Sequence, residues 1–446
     1  MAKLDSHPTV LAIRAKSETA GQPARPGVLA ADEIRQICLN LGADDAGFVS
    51  IDRPELDDQR AEILRFFPST RTLISIICRM NREPVRNPQR SVANLEFHST
   101  TDRINEIARD IVKVLEDRGH RAINPSAGFP MEMTDFPGRI WVVSHKPVAV
   151  AAGLGQMGVH RNVIHPRFGN FIILGTVLID AEISEQNLPI NYNPCLDCRL
   201  CVAACPVGAI SPDGSFNFLS CYTHNYREFM GGFTDWVESI ADSHSAESYR
   251  RKVTDGESAS MWQSLAFGPN YKAAYCLAVC PAGEEVIGPF LQERSAFVES
   301  MVKPLQQKVE TIYVQPNTDA ESYVEKRFPH KQIRRVGSTL RPTSIENFLN
   351  GMHIVFQPGR SEGLNAVYHF RFTGSQAAEC TVTISDQKID VKQGLVGKCD
   401  LATTADSIQW IRFLRKEVSI VWLLLTLRVR LRGNPMLLVK FGKCFP

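Results

Sequence analysis

Apolar residues recur at helical spacing in some stretches of the chain and at strand spacing in others, and the change of period divides it. In "ADEIRQICLNLG" Ile34, Ile37, Cys38 and Leu41 fall on one helical face, with Gly42 as a stop. "TLISIIC" (Thr72 to Cys78) is a short run rich in β-branched residues, as a buried strand is. "DRINEIARDIVKVLEDRG" sets Ile104, Ile107, Ala108, Ile111, Val112 and Leu115 on one stripe and ends at Gly119, which predicts a long amphipathic helix. "FIILGTVLID" (Phe171 to Asp180) predicts a central strand, so residues 29–190 read as a mixed α/β domain.

Periodicity fades over residues 191–292, and residues 293–335, with their prolines and charges, read as a linker. From 336 to 446 a period of two takes over. "AVYHFRFTG" and "CTVTISDQKIDVKQG" alternate as half-buried antiparallel strands do, and "LATTADSIQWIRFL" predicts a helix capped by a Thr or Asp. "LRVRLRG" sets Leu427, Val429 and Leu431 against Arg428, Arg430 and Arg432, a strand with arginines outward; contact with anionic lipid is the other reading of that basic cluster. Residues 1–28 read as a flexible tail. The fold class expected is an α+β multidomain chain.

Composition narrows the function. The chain has 446 residues, 44% hydrophobic and 22% charged, which excludes disorder. Lys plus Arg number 50 against 48 Asp plus Glu, a balance that gives no reason to expect nucleic acid as a partner. The first residues lack the apolar core of a secretory signal, and the most apolar run, "VSIVWLLLTL", is too short to span a bilayer. A cytoplasmic protein with no transmembrane segment is expected. There, twelve cysteines, seven of them between Cys195 and Cys280, point to metal or redox chemistry rather than disulfides.

"NPCLDCRLCVAACPVGAI" places Cys195, Cys198, Cys201 and Cys205 at C-x2-C-x2-C-x3-C-P spacing. The first three thiolates of such a run hold one cuboidal iron–sulfur cluster and the fourth serves a second. Cys280, followed by Pro281 in "YCLAVCP", completes the first set: Cys195, Cys198, Cys201 and Cys280. The second set is Cys205, Cys221 and Cys276, one thiolate short, because Ala273 stands three residues before Cys276 where a full motif has cysteine. The expectation is therefore one 4Fe-4S cluster and a second that is 3Fe-4S or 4Fe-4S with a non-cysteine ligand. His224 is a candidate for that ligand or for a hydrogen-bond donor beside it.

With these residues assembled, "PVAVAAGLGQMGVHRNVIHPRFGNFIILGTVLID", the cysteine run, "SCY" at Cys221 and "YCLAVCP" resemble the epoxyqueuosine reductase and reductive dehalogenase superfamily. The resemblance implies a cobalamin-reductase-like domain, a bacterial ferredoxin-like double-cluster segment, a bound cobalamin and an external electron donor of ferredoxin or flavodoxin type. It also implies cofactor contacts at Gly153, Gly155, Gly158, His160 and Arg161. Where epoxyqueuosine reductases carry an aspartate general acid, "VSHKP" offers Ser144, His145 and Lys146, a departure that turns the expectation away from queuosine chemistry; His145 or Lys146 is the proton donor to expect. Residues from 336 onward, through "NFLNGM" and "RVRLRGNPMLLVKFGKCFP", resemble the sterol carrier protein 2 (SCP2) family, which implies a five-stranded sheet enclosing an apolar tunnel and a lipid or apolar small-molecule ligand. The leading reading is an iron–sulfur, corrinoid-dependent reductase of an apolar organic substrate. Its rivals are an electron-transfer or lipid-binding protein without corrinoid, and a flavin in the same pocket.

Overall fold

The computed structural model describes residues 2–19, 27–135, 140–337 and 341–446. Of the tail expected over 1–28, residues 1 and 20–26 lie outside that description, Pro8–Thr19 is a helix, and Val28–Leu29 pairs in parallel with Glu182–Ile183. Helix α1 (Ala31–Asn40) lies where its stripe predicts, and α2 (Arg90–Asp117) begins well ahead of Asp102. Both pack on one face of an antiparallel sheet of β1 (Asp45–Ser50), β2 (Thr72–Arg79), β3 (Ala122–Ile123) and β4 (Ile172–Ile179), ordered β1-β2-β4-β3. Alternation sorts the strand residues. Phe48, Ile74, Ile76 and Val177 meet Ile34, Ile104 and Ile111 on that face, whereas Val49, Leu73, Ile77 and Leu178 meet Leu56, Ile63 and helix α3 (His145–Ala151) on the other.

The cysteine segment is more helical than its weak periodicity predicts. Short helices α4 (Leu200–Ala204), α5 (Phe218–Asn225) and α6 (Tyr275–Ala278) carry cysteines or precede them. Between α5 and α6 lie three further helices, Gly231–Ala241, Ala246–Lys252 and Asp255–Phe267. The stretch 293–335 is not a linker. It holds strand β5 (Thr311–Val314), helix α7 (Asp319–Arg327) and strand β6 (Gln332–Arg335), the strands parallel. Ile312, Val314, Ala320, Val324 and Phe328 bury themselves in one core with Cys201, Cys205 and Tyr275, so this unit is the far wall of the cysteine site.

The C-terminal part runs α8 (Ile345–Val355), β7 (Ala366–Thr373), β8 (Ala378–Ser385), β9 (Lys388–Gln393), β10 (Leu401–Asp406), α9 (Ser407–Leu414), α10 (Ile420–Leu425), β11 (Val429–Gly433) and α11 (Met436–Lys443). Its five-stranded sheet is ordered β9-β8-β7-β10-β11, with β7 and β10 parallel. "LATTAD" is strand rather than helix, because Leu401, Thr403 and Ala405 alternate into the core; the helix starts after Asp406, whose carboxylate accepts from the Gln409 amide at 3.0 Å. The basic strand begins only at Val429, and Leu427 stands outside it, exposed at φ 57°. Among the described residues no helix is long and apolar enough to cross a membrane. Helix α8 packs against α5, joining this part to the cysteine segment.

Candidate functional site

Two left-handed residues set up the cysteine site. Arg199 (φ 61°) precedes α4 and Ala274 (φ 55°) precedes α6, so these two cysteine helices are each entered by a sharp turn that no glycine relieves. Such backbone costs on the order of 1–3 kcal/mol and persists only where the surroundings impose it. Cys195, Cys198, Cys201 and Cys280 line one small hollow, with Val159 and His160 at its side. Burial pushes the Cys280 thiol far up, and the charges of Cys198, Cys201 and Cys195 add to that rise. Cys205, Cys221 and Cys276 form the second group: Cys221 is raised by burial and then by Cys205 and Cys276. Cys201, pushed up to about 12, also feels Cys276, so the two groups adjoin there. The sulfur of Cys205 accepts from the Ala209 amide at 3.2 Å, and the amides of Val207, Gly208 and Ile210 also favour its charged form against the effect of burial. Among the described residues no three His, Cys, Asp or Glu side chains gather closely enough for a single ion. A cuboidal cluster does not ask them to, since its thiolates bind separate irons at its corners.

The residues around the groups fit that cargo. Arg86 lies near Cys280 and Arg90 near Cys276, each with a buried guanidinium whose Nε and Nη2 have no hydrogen-bond partner. Arg86 Nη1 pairs with Glu83 at 3.6 Å and Arg90 Nη1 donates to the Asn87 carbonyl at 3.4 Å, but the remaining buried N–H groups of both are costly unless negative charge arrives, and thiolate-bound clusters supply it. Neither arginine is marked by the sequence, since both sit in a polar stretch before the predicted helix. Cys38, Cys78 and Cys380 are buried in apolar cores and act as small hydrophobes. His224 is engaged at one ring nitrogen, and the other, Nε2, is buried without a hydrogen-bond partner. Its Nδ1 accepts from the Tyr313 amide at 3.3 Å, its ring stacks on Tyr313, and its charged neighbours are Glu310, Lys272, Lys331 and Lys308.

The predicted catalytic trio divides. His145 is locked in the core: one ring nitrogen pairs with the Thr176 hydroxyl at 2.8 Å and the other with the Ser126 carbonyl at 2.9 Å, while burial lowers its pKa. It must donate to that carbonyl, which leaves Nδ1 to accept and no proton to give. Ser144 is held through its backbone by the Gln59 amide. Lys146 is different. Its Nζ donates to the Arg161 carbonyl and to Asn162 Oδ1, both at 2.8 Å. Enclosure by protein lowers its pKa, with Cys276 and Cys221 opposing, yet its side chain keeps accessible surface. Lys146 and Tyr226 both lie within electrostatic reach of Cys221 and Cys276, so these four side chains gather at the second cysteine group.

Close approach of the chain to itself requires the three glycines. A Cβ on Gly153 (φ 73°) would lie 2.5 Å from the Leu188 carbonyl, one on Gly155 (φ 158°) 2.5 Å from that of Ile164, and one on Gly158 2.6 Å from the Ile164 side chain. The chain itself fills those spaces. His160 is buried, accepts from the Asn162 amide at 3.1 Å and is driven down to about 4 by burial and Lys146; Arg161 (φ 63°) offers its carbonyl to that lysine.

Residues 188–211 match the 4Fe-4S binding domain model, and residues 357–446 match the SCP-2 sterol transfer family model. The epoxyqueuosine reductase of Leadbetterella byssophila is 24% identical over 215 residues, 43% of this chain and 67% of that protein. This chain is related to the epoxyqueuosine reductases. Against the epoxyqueuosine reductase of Cellulophaga algicola identity is 30% over 119 residues, covering 24% of this chain and 38% of the relative, so the match spans well under two thirds of that protein's length. A crystal structure of epoxyqueuosine reductase with a tRNA stem loop aligns at TM-score 0.34 and 18% identity, covering 45% of this chain and 57% of that one. It carries a partner class that the charge balance here left out. A structure described as suggesting a mechanism for B12-dependent dehalogenation aligns at TM-score 0.37 and 16% identity, covering 55% and 38%.

Within the SCP-2 part a cavity of about 680 Å³ opens between the sheet and helices α8 to α11. Phe348, Met352, Trp410, Leu424 and Phe441 line it. Its remaining wall comes from the reductase-related part: Leu219, Tyr222 and Thr223 of α5, then Arg227, Gln315 and Arg341.

Proposed function

We propose that this chain is an iron–sulfur reductase that holds a corrinoid beside its second cluster and acts on an apolar organic substrate. The observation that carries the reading is the gathering of Lys146 and Tyr226 about Cys221 and Cys276 of the second cysteine group. Cys195, Cys198, Cys201 and Cys280 would hold one cluster, and Cys205, Cys221 and Cys276 the other. A bound corrinoid supplies a low-potential cobalt centre that electrons reach through the clusters, from a ferredoxin- or flavodoxin-type donor. The chain supplies position and a proton. Two of the three Nζ protons of Lys146 are engaged by Arg161 and Asn162, which fixes the ammonium and leaves the third to give. With His145 locked, Lys146 is the donor proposed, and the sterol-carrier part favours an apolar substrate.

Protein purified without oxygen is expected to carry about seven to eight irons, from two cuboidal clusters of which one has three thiolates. One cobalt per chain should accompany them, with a cob(II)alamin signal at low temperature. Iron without cobalt would favour the second reading, electron transfer or lipid binding without corrinoid, for which the absence of an aspartate in "VSHKP" speaks. A flavin would show by fluorescence of the released cofactor.

A further inference from the structure

Both thiol groups border one short segment of the α/β domain. Helix Arg82–Arg86 packs against α6, and α2 starts directly after it at Arg90. Val85 and Ala93 are buried there with Phe171, and Ala274 and Leu277 from the cysteine segment pack onto them. A cation in such an apolar core is costly without a partner. Arg86 is held between two rings, its guanidinium 5.2 Å from Phe171 and 5.8 Å from Phe297, and its side chain is 8% exposed. Arg90 lies at 5.4 Å over the ring of Tyr275, the residue before Cys276. Aromatic faces attract the charge but leave the in-plane N–H groups unbonded. Among the described residues no carboxylate takes up Nε and Nη2 of either arginine. Glu83, which reaches Arg86 at 3.6 Å, is 81% exposed and so a weak, screened partner. Glu310, the acid in reach of Arg90, is engaged by Lys331 at 2.7 Å, Lys308 at 3.3 Å and the Tyr275 hydroxyl at 2.6 Å. The thiol in reach of Arg86 is Cys280, and that in reach of Arg90 is Cys276.

We infer that Arg86 and Arg90 set the reduction potentials of the two clusters separately, Arg86 that of the cluster on Cys280 and Arg90 that of the cluster on Cys276, through their free N–H groups and fixed charge. Each cluster accepts one electron at a time from the ferredoxin- or flavodoxin-type donor and gains one negative charge, with no covalent bond made or broken. A cation at its edge favours that reduced form, and N–H groups donated to sulfur do the same. Arginine suits the place because it stays charged when buried, where a lysine readily loses its proton. Lys146 is a further cation near Cys276 and Cys221, but it donates to Arg161 and Asn162. Both arginines are therefore positioning residues, acting on the clusters without ligating them. The inference rests on the two clusters of the function proposed above and not on the corrinoid.

The test is a potentiometric titration of the full chain, purified without oxygen and followed by low-temperature EPR, with Cys280→Ser and Cys276→Ser proteins assigning the two signals. Arg90→Met is expected to lower the potential of the second cluster by about 59 mV or more, a tenfold change in a one-electron equilibrium, and to leave the first in place. Arg86→Met is expected to do the reverse. Arg90→Lys, which keeps a charge and loses the planar set of donors, should fall between Arg90→Met and the unaltered protein. A merely structural role would change iron content and leave these potentials where they are. Should a methionine variant lose its cluster, lysine at the same position decides: a lowered potential confined to the paired cluster supports the inference, and loss of the cluster even there overturns it. Unmoved potentials with iron intact, or equal shifts of both clusters, also overturn it. Unaltered protein without iron would instead sink the cluster reading on which the inference rests.

Discussion

Serine at Cys280 is expected to remove one iron–sulfur cluster and leave the other, and serine at Cys276 to do the reverse. Each variant should lose about three to four of seven to eight irons, read as iron and sulfide per chain with low-temperature EPR. The expectation follows from the grouping of the thiols. Cys280 shares its hollow with Cys195, Cys198 and Cys201, whereas Cys276 is set against Cys205 and Cys221. Loss should be all-or-none, since structural metal sites contribute binding free energies on the order of 10 kcal/mol and one missing thiolate forfeits much of that. Cys201 lies between the groups, so Cys201→Ser should disturb both. Restoring the missing ligand is the complementary arm. Ala273 is buried in the same core as Cys201, Cys205 and Tyr275, its amide donating to Asn225 Oδ1 at 3.0 Å, so a thiol there stands beside the second group. Ala273→Cys should raise iron toward eight and abolish the signal of an oxidised three-iron cluster. If either single serine drained both clusters equally, the division into two thiol groups would be wrong.

The grouping was legible because spacing along the chain dictates it: three thiolates within seven residues can reach only one cage, and a cysteine before proline must look elsewhere. Strand β2 and helix α2 were legible because each buries one continuous run or stripe. The parts that were hidden bury little per element. Helix Asp255–Phe267 buries only Glu257, Met261 and Ser264, and α7 only Ala320, Glu321 and Val324, so neither shows an apolar stripe. Their starts were nevertheless written in the chain. Both open on the same signal, "TDGE" at Thr254–Glu257 and "TDAE" at Thr318–Glu321, and in each the threonine hydroxyl accepts from the amide three residues on. Lys146 was named beside His145 because sequence alone cannot tell a side chain that stays accessible from one locked between Thr176 and Ser126. The place of Gln315 in the cavity wall could not be read at all. It comes from β5 being brought against α5, a contact between distant parts of the chain.

That contact depends on a buried ion cluster, and Arg227→Met is expected to weaken it by about 3–5 kcal/mol. Arg227 is 1% exposed, lies over the Tyr313 ring at 5.0 Å and bridges Asp235 and Glu257, on two of the three helices between α5 and α6. Burial alone lowers its pKa, but the two carboxylates more than offset that and hold it raised. Methionine fills similar volume without charge, so the cost is the pair of carboxylates left behind. Glu257 keeps Arg334 at 3.2 Å, whereas Asp235 keeps only the Gly337 amide at 2.9 Å. Hydrogen exchange in Gly231–Ala241 and Asp255–Phe267 should then quicken about 10²–10⁴-fold, as a local opening of that free energy requires. Neutralising the partners as well, in Arg227→Met with Asp235→Asn and Glu257→Gln, should recover most of the protection, because replacing a whole buried ion cluster costs far less than breaking it. If the triple variant exchanges as fast as the single one, the arginine acts through its packing on Tyr313 and not through charge.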